Sequence, residues 1–383
     1  MSSLWAAPRR VDLAVAGAGI VGLAVALEGV RRGLRVLVVE RDARASGASV
    51  RNFGHGCITA QSGIALDYAQ VARQRWIELR QDAGLWVQEC GTVVVGRTAE
   101  ELAVLAEFAE LHPQDTQLLG PDAVIARAPV EREGLLGGAF LPLDIRVDPR
   151  QAVRALARHA TGLGVELAFS TNVLGVEAGV LHTSRGDVQA DVVVLALGHE
   201  LDQLLPDQAA AAELARCSLH MLRVANPTSR PIAPAVLTGT SLLRYSGFVA
   251  CPSSAALRER LAADNPALLA AGVNHMLTQH PSGDLLIGDT HSYDDTPSPF
   301  AAEELDLLLL SETRRLLGAQ SLEIRERWRG TYAWAPGREF LLSAPHPGVR
   351  AVAVTSGIGM TTALGLAPAL LDDLRIPDVT RTA

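Results

Sequence analysis

The 383-residue chain contains no lysine, so all 34 of its Lys/Arg positions are arginine. Genome base composition accounts for such a bias, but the chemical consequence holds whatever its origin. There is no Schiff-base amine for pyridoxal-phosphate chemistry and no P-loop lysine for a nucleotide hydrolase. Cysteine is scarce as well. Cys57, Cys90, Cys217 and Cys251 are scattered, with no CxxC pair or Cys/His cluster, and are expected to be reduced core thiols rather than a metal site or disulfide frame. No metal is expected. Basic runs are missing and the formal net charge is -8, which argues against a nucleic-acid partner. The apolar run at residues 13–27 is fifteen residues long, short of the roughly 18 to 20 that a membrane span requires. The opening MSSLWAAPRR lacks an apolar signal core, so a cytoplasmic location is expected.

What is present is the composition of a globular protein, 48% hydrophobic and 20% charged, at a length suited to two domains. Residues 11–40, VDLAVAGAGIVGLAVALEGVRRGLRVLVVE, read as strand (11–16), tight turn, helix (20–32) and second strand (34–39). Gly17, Gly19 and Gly22 have GxGxxG spacing in that context. Gly17 permits the sharp turn, Gly19 lets backbone approach a pyrophosphate, and Gly22 lets helix and strand pack closely. The helix start at Ile20 and Val21 then turns its free N–H groups and positive dipole end to the phosphates. Glu40 lies eighteen residues past Gly22, near the spacing at which a carboxylate binds a ribose 2′-hydroxyl and repels a 2′-phosphate. These features predict a dinucleotide site and leave NAD and FAD open. In the loop that follows, Ser49 and Arg51 are expected at the pyrophosphate, and Asn52, Gly54, His55 and Gly56 near a ring system.

The fingerprint, Glu40-Arg41 closing the second strand, and the Ser49-x-Arg51-Asn52-x-Gly54 loop together resemble the D-amino-acid oxidase-like FAD oxidoreductases, the group that includes glycine and sarcosine oxidases. The words ASVRNFG are most similar to a branch found with phosphonate-degradation functions. The resemblance implies FAD and an α/β (α+β overall) fold, a Rossmann-like FAD-binding domain with a mainly antiparallel-sheet substrate domain. It also implies a discontinuous cofactor domain, residues 10–60, 145–215 and 335–383, with the substrate domain at 61–144 and 216–334. In such proteins the segment at 171–173, including Val173, contacts adenine. The strand at 192–197, with Ala196, returns under the cofactor and ends at Gly198. The carboxy-terminal strand-Gly-helix unit, at Gly357, Gly359, Met360 and Thr361, meets the flavin's pyrimidine edge.

Along the chain, helices are expected at 64–83, 99–111, 149–159, 255–263 and 301–317, and single strands at 86–96 and 137–147. Asp148 is read as an N-cap before Pro149, and 274–293 as a hairpin turning at Pro281-Ser282-Gly283-Asp284. For chemistry, a flavin accepts hydride from the α-carbon of a neutral amine, and the imine hydrolyses to a carbonyl compound. No catalytic triad is visible or needed. His55, Tyr245, His275 and Tyr332 are the candidate catalytic groups; Arg244, Gln279, Arg329 and Trp334 are the candidate substrate contacts, with Gln61 nearby. His275 and Gln279, as i and i+4, share one face of a strand.

Glycine oxidase-like relatives carry W-x-G-x-R-P where this chain reads Trp328-Arg329-Gly330-Thr331-Tyr332-Ala333. Tyr332 replaces the arginine that clamps a substrate carboxylate, and a phenol cannot supply that bidentate charged pairing. The expected substrate is therefore a small amine bearing another anion, 2-aminoethylphosphonate or its N-methyl derivative. O2 or another acceptor takes the electrons, without the lysine that some relatives place over the flavin. Alternatives are a glycine/sarcosine-type amino-acid oxidase, a non-catalytic flavin-binding subunit, and an NAD-dependent dehydrogenase. The last leaves the carboxy-terminal glycine turn unexplained.

Overall fold

In the computed structural model, residues 5 and 9–377 are described. Most of the amino-terminal decapeptide read for a targeting signal, and residues 378–383 of the expected cofactor domain, lie outside them. The first strand, Arg9–Ala16, lies between Val36–Val39 and Gly186–Leu195 and is parallel to both. Glu166–Ala168 extends this sheet beyond Val36–Val39, and Val349–Val354 runs parallel beside the end of Gly186–Leu195. Antiparallel additions, the hairpin Val173–Glu177 and Val180–Thr183 and the strand Phe340–Ser343, complete eight strands.

Parallel strands covered on both faces must be apolar throughout, as residues 36–39 (VLVV) are. One face, with Leu13, Val15, Val36, Val38 and Val194, packs on the helices Ile20–Arg31, Gly63–Asp82, Pro149–Gly162 and Gly359–Asp373. The other face buries Leu37, Val39, Leu195 and Ala351 in a separate cluster. The predicted cap is present: the Asp148 carboxylate accepts from the amides of Arg150 and Gln151.

A second sheet of nine strands is antiparallel except where Thr92–Gly96 runs parallel to Ala235–Leu237. Its longest pairing joins Ala215–Val224 to Ile324–Trp334, with Cys217 opposite Tyr332. The expected hairpin forms between Met276–Gln279 and Leu285–Gly288.

Two of the expected strands are each two. Residues 86–96 divide into Val87–Gln88 and Thr92–Gly96, and residues 137–147 into Gly137–Leu141 and Ile145–Val147. Gly91, at φ +68°, makes the first break, and the turn ending at Asp144 makes the second. At the first break the chain passes from a three-stranded sheet formed with His55–Gly56 into the nine-stranded one, and at the second it passes back. Asp144, fully buried, pins this junction. Its carboxylate accepts from the Ile58 amide (2.8 Å), the Thr59 amide (3.0 Å) and the Thr92 hydroxyl (2.6 Å).

Among the described residues no helix is long and apolar enough to cross a membrane. The four cysteines are free, and Cys57, Cys217 and Cys251 are buried.

Candidate active site

A continuous cavity of about 720 Å³ runs between the eight-stranded and nine-stranded sheets, within the range of ordinary cofactor and ligand sites. Gly17 makes its first turn at φ +101°, and a Cβ there would lie 2.5 Å from the Ala196 carbonyl oxygen, so only glycine fits. The amides that follow open the helix Ile20–Arg31 toward the cavity, which Gly19, Ile20 and Val21 line. The Ser49 hydroxyl accepts from the Ile20 amide at 2.9 Å. Glu40 lines the same end, accepting from the amides of Ala18 (2.8 Å) and Asp42 (3.0 Å). Arg41, ion-paired with Glu200, is beside it, and so is Val173.

The carboxy-terminal helix Gly359–Asp373 also starts on the cavity, without a side-chain cap or an acidic residue in its first turn. Gly357, Gly359, Met360 and Thr361 line it there, as do Arg51, Asn52 and His55; Ala196 and Gly198, also on the cavity, follow the end of the returning strand Gly186–Leu195. Gly22 and Gly54 do not reach the cavity. Gly22 is needed for packing instead, because a Cβ would sit 1.9 Å from the Gly17 carbonyl oxygen, and Gly54 presses against Val147 in the same way.

The cavity fits a dinucleotide cofactor on observations independent of any motif. Two helix amino termini present amides to it, which suits anionic groups. His55 Nδ1, Ser246 Oγ and Ser356 Oγ are buried, line it, and have no hydrogen-bond partner among the described residues. Buried polar atoms without partners are costly, and a bound ligand would satisfy them. His55 is held by its other nitrogen, 2.8 Å from the Thr92 hydroxyl. That hydroxyl spends its own proton on Asp144, so His55 Nε2 donates and Nδ1 is left as an acceptor. His55, Cys57 and Asp144 bring possible ligand atoms within 4.8 Å of one another. They are poorly suited to a metal, since Asp144 is already committed and burial raises the Cys57 thiol well above its ordinary pKa.

At the other end of the cavity the side chains change character. Arg244 is half-buried there, and its Nη2 donates to the Tyr332 hydroxyl (2.7 Å) and the Ser356 carbonyl (3.0 Å). Burial opposes its charge, but Tyr332, Tyr293 and Asp289 outweigh that and raise its pKa. Nε and Nη1 have no hydrogen-bond partner among the described residues. The Tyr332 ring packs on the turn at Gly357, its Cζ 3.1 Å from where a Gly357 Cβ would stand. Tyr245, Trp334 and Gln61 line the same chamber, with Trp334 stacked at 4.4 Å on Tyr293.

Three sequence candidates lie elsewhere. His275 reaches Thr313 at 2.9 Å, and burial takes its pKa down to about 3. Gln279 is used by the Ile232 amide and the Gly283 carbonyl. Arg329 binds the carbonyls of Ser298, Pro299 and Phe300 on the outside. His275 meets the helix Glu303–Leu317, and Gln279 the turn at Gly283, while the alternate residues Asn274 and Met276 line the cavity. Sequence reading also missed Asp289 and His291, which line the chamber at the end of the hairpin. Their signal was an Asp-x-His alternation directly after the buried run 285–288.

Fold and cavity together define an oxidoreductase class, in which a dinucleotide lies along one sheet and a second sheet closes a small charged chamber over its reactive end. Residues 12–372 match the family described as FAD dependent oxidoreductase, and the chain belongs to that family, with FAD as its cofactor. It is 33% identical over 147 residues to a D-amino acid dehydrogenase of Bradyrhizobium diazoefficiens, covering 34% of each chain. It is 25% identical over 203 residues to a glycine oxidase of Bacillus licheniformis, covering 50% of this chain and 54% of that one. The chain thus spans about a third to a half of the length of these relatives. The crystal structure of glycine oxidase from Geobacillus kaustophilus superposes with a TM-score of 0.77 at 21% identity, over 96% of this chain and 94% of the other, a likeness of fold.

Proposed function

We propose that the protein oxidises the C–N bond of a small amine that also carries an anionic group. The observation that carries this reading is Arg244, a half-buried cation with unused N–H groups, in the chamber that adjoins the Gly357 turn through Tyr332. The FAD would be held by Gly17, Gly19, Ile20, Val21, Glu40, Ser49, Arg51, Asn52 and Val173 at one end and by Gly357, Gly359, Met360 and Thr361 at the other. When bound, it supplies the acceptor for the hydride lost by the substrate carbon. The chain's own residues bind the anion, orient the reacting carbon and keep bulk water out.

Arg244 also bears on which anion. Nη2 spends both of its N–H groups on Tyr332 and Ser356. Each edge of a guanidinium needs one of those N–H groups to offer a parallel pair, so neither edge can clamp a carboxylate in the two-point manner. A tetrahedral phosphonate, which accepts from single N–H groups in several directions, suits the remaining Nε and Nη1. This favours 2-aminoethylphosphonate or its N-methyl derivative. Likeness to glycine oxidases favours a second reading, glycine or sarcosine as substrate.

The test is anaerobic mixing of the purified flavoprotein with each of these four amines while the flavin's visible absorption is followed. Bleaching by a phosphonate and not by glycine or sarcosine is the expected result. Bleaching by the amino acids alone would discard the phosphonate, and bleaching by none would overturn amine oxidation.

A further inference from the structure

Asp289 is a buried carboxyl with one oxygen committed and one free. Its Oδ1 accepts from the Asn274 amide nitrogen at 3.2 Å. The Asn274 carboxamide is fixed in that orientation because its oxygen accepts from the Ser241 hydroxyl at 2.7 Å. The backbone N–H and carbonyl of Asp289 are exchanged with those of Asn274, at 2.9 Å each way, so the side chain hangs from a rigid pair of strands. Asp289 Oδ2 has no hydrogen bond among the described residues, and His291 Nε2 stands 3.7 Å from it.

His291 cannot fill the gap. Its Nδ1 donates to the Gly272 carbonyl at 2.8 Å, which fixes the tautomer and leaves Nε2 as a bare lone pair. Burial, reinforced by Arg244, lowers its pKa to about 3, so the ring stays neutral. Two acceptors therefore face each other across a space too wide for a direct hydrogen bond, on the wall of the chamber that holds Arg244. Arg244 is not ion-paired with Asp289 among the described residues. The missing component is a cationic donor with at least two N–H groups, and a substrate ammonium has that form.

From this arrangement we infer that Asp289 Oδ2 and His291 Nε2 receive the substrate ammonium, and that Asp289 takes a proton from it before oxidation. The inference rests on the amine-oxidation reading above. In the step an N–H bond breaks and an O–H bond forms on Asp289, the electron pair stays on nitrogen, and an ion pair becomes a neutral pair. The neutral amine is the form that can release hydride from its α-carbon. Arg244 and Asp289 then divide the substrate between them, one reading its anion and the other its amine.

The titration is assignable because the neighbours of Asp289 are silent near neutrality. Burial raises Asp289 itself to about 7, against the opposing pull of Arg244 and Asn274. Of the groups around it, His291 is at about 3 and Cys217 at about 12, while Tyr245 and Tyr332 are well above the ordinary phenol value and Tyr293 is raised. Arg244 stays charged, and His220 on the adjacent strand turns its ring to Asp306 at 2.8 Å.

The experiment uses the flavin-loaded protein and its Asp289→Asn and His291→Gln variants. The first reading is the pair of dissociation constants for 2-aminoethylphosphonate and ethylphosphonate, and for glycine and acetate, on dithionite-reduced protein, which cannot turn over. In the wild type the preference for each amine over its amine-free partner should grow about tenfold from pH 6 to 8. In Asp289→Asn that preference should fall at least tenfold at pH 8 and lose its pH dependence, with ethylphosphonate and acetate binding unchanged. His291→Gln should weaken amine binding in the same direction, and it serves if Asp289→Asn fails to retain flavin. The second reading is the anaerobic reduction rate. An alkylamine of pKa about 10.4 is neutral to about one part in a thousand at pH 7.4. Asp289→Asn should therefore be slowed at least a hundredfold there and recover toward wild type above pH 10. An unchanged amine preference in both variants, or parallel pH–rate profiles, would overturn the inference while leaving amine oxidation intact. Failure of every amine to bleach the wild type would strike the oxidation reading, and the binding constants would still decide the role of the pair.

Discussion

Tyr332→Phe is the substitution that most directly tests how the chamber selects its anion. The hydroxyl it removes is bonded at 2.7 Å to Arg244 Nη2, while the ring, packed on the Gly357 turn, stays in place. One N–H of Nη2 is thereby released and, paired with Nε or Nη1, restores one two-point edge of the guanidinium. A hydrogen bond to a charged group contributes about 1.5–3 kcal/mol, and about 1.4 kcal/mol is a factor of ten. Glycine and sarcosine should therefore gain roughly ten- to a hundredfold in reduction efficiency relative to 2-aminoethylphosphonate. With the chamber empty, the released N–H is a buried donor without a partner, and stability should fall by about 1–3 kcal/mol.

Anaerobic stopped-flow reduction, run with the same amines on wild type and variant, reads the ratio directly, and urea unfolding reads the cost. If the ratio of glycine to aminophosphonate efficiency stays within about twofold of wild type while stability falls as expected, the hydroxyl does not restrain Arg244, and the phosphonate preference loses its support. An equal collapse for all substrates would mean that Tyr332 touches the substrate itself.

Gly17→Ala would force a Cβ to within 2.5 Å of the Ala196 carbonyl oxygen at a φ of +101°; the expected outcome is a loss of about 3 kcal/mol or more and of bound flavin, read as the flavin-to-protein absorbance ratio, and retention at the wild-type ratio would refute it. Asp289 should also mark the pH dependence of stability. Its folded pKa of about 7 lies above the ordinary 3.8, so the folded state holds the extra proton between those values. Stability is then lost as pH rises through that window, by about 4 kcal/mol in all. Urea unfolding at pH 4 and 8 should show that loss in the wild type relative to Asp289→Asn, and a flat difference would refute it.

The cofactor end of the cavity was legible because its signals are local. Gly17 and Gly357 stand where backbone turns demand positive φ, and Glu40, Ser49 and Arg51 follow Gly17 within one strand and one loop. The charged chamber is assembled from Arg244 with Tyr332, 88 residues apart, and the pair Asn274 and Asp289, 15 apart, between them, so no short window of sequence contains it. Alternation groups His275 with Gln279, but periodicity alone cannot say which face of a strand meets the cavity. That choice is made by the helix Glu303–Leu317, whose Thr313 takes His275. The breaks at Gly91 and Asp144 were hidden for a related reason. An apolar run looks the same whether it continues in one sheet or passes into another.

Those breaks meet at a buried junction on one side of the cavity. Asp144 ties the loop at Ile58 and Thr59 to Thr92 of the nine-stranded sheet through fully buried hydrogen bonds, and through Thr92 it fixes His55 at the cavity wall. A buried network of that kind has little freedom to shift, because each lost partner leaves an unsatisfied group. Arg244, Asp289 and Tyr332 belong to other segments, two of them at strand ends and one in a loop, and none bonds to Asp144 among the described residues. On the proposed function, changes at Asp289 would alter which amine is accepted without touching that network, whereas Arg244 and Tyr332 also contact the turn at Ser356 and Gly357, so changes there would reach the cofactor side as well. Changes at Asp144 or Gly17 have no such latitude and act on flavin retention before they act on specificity.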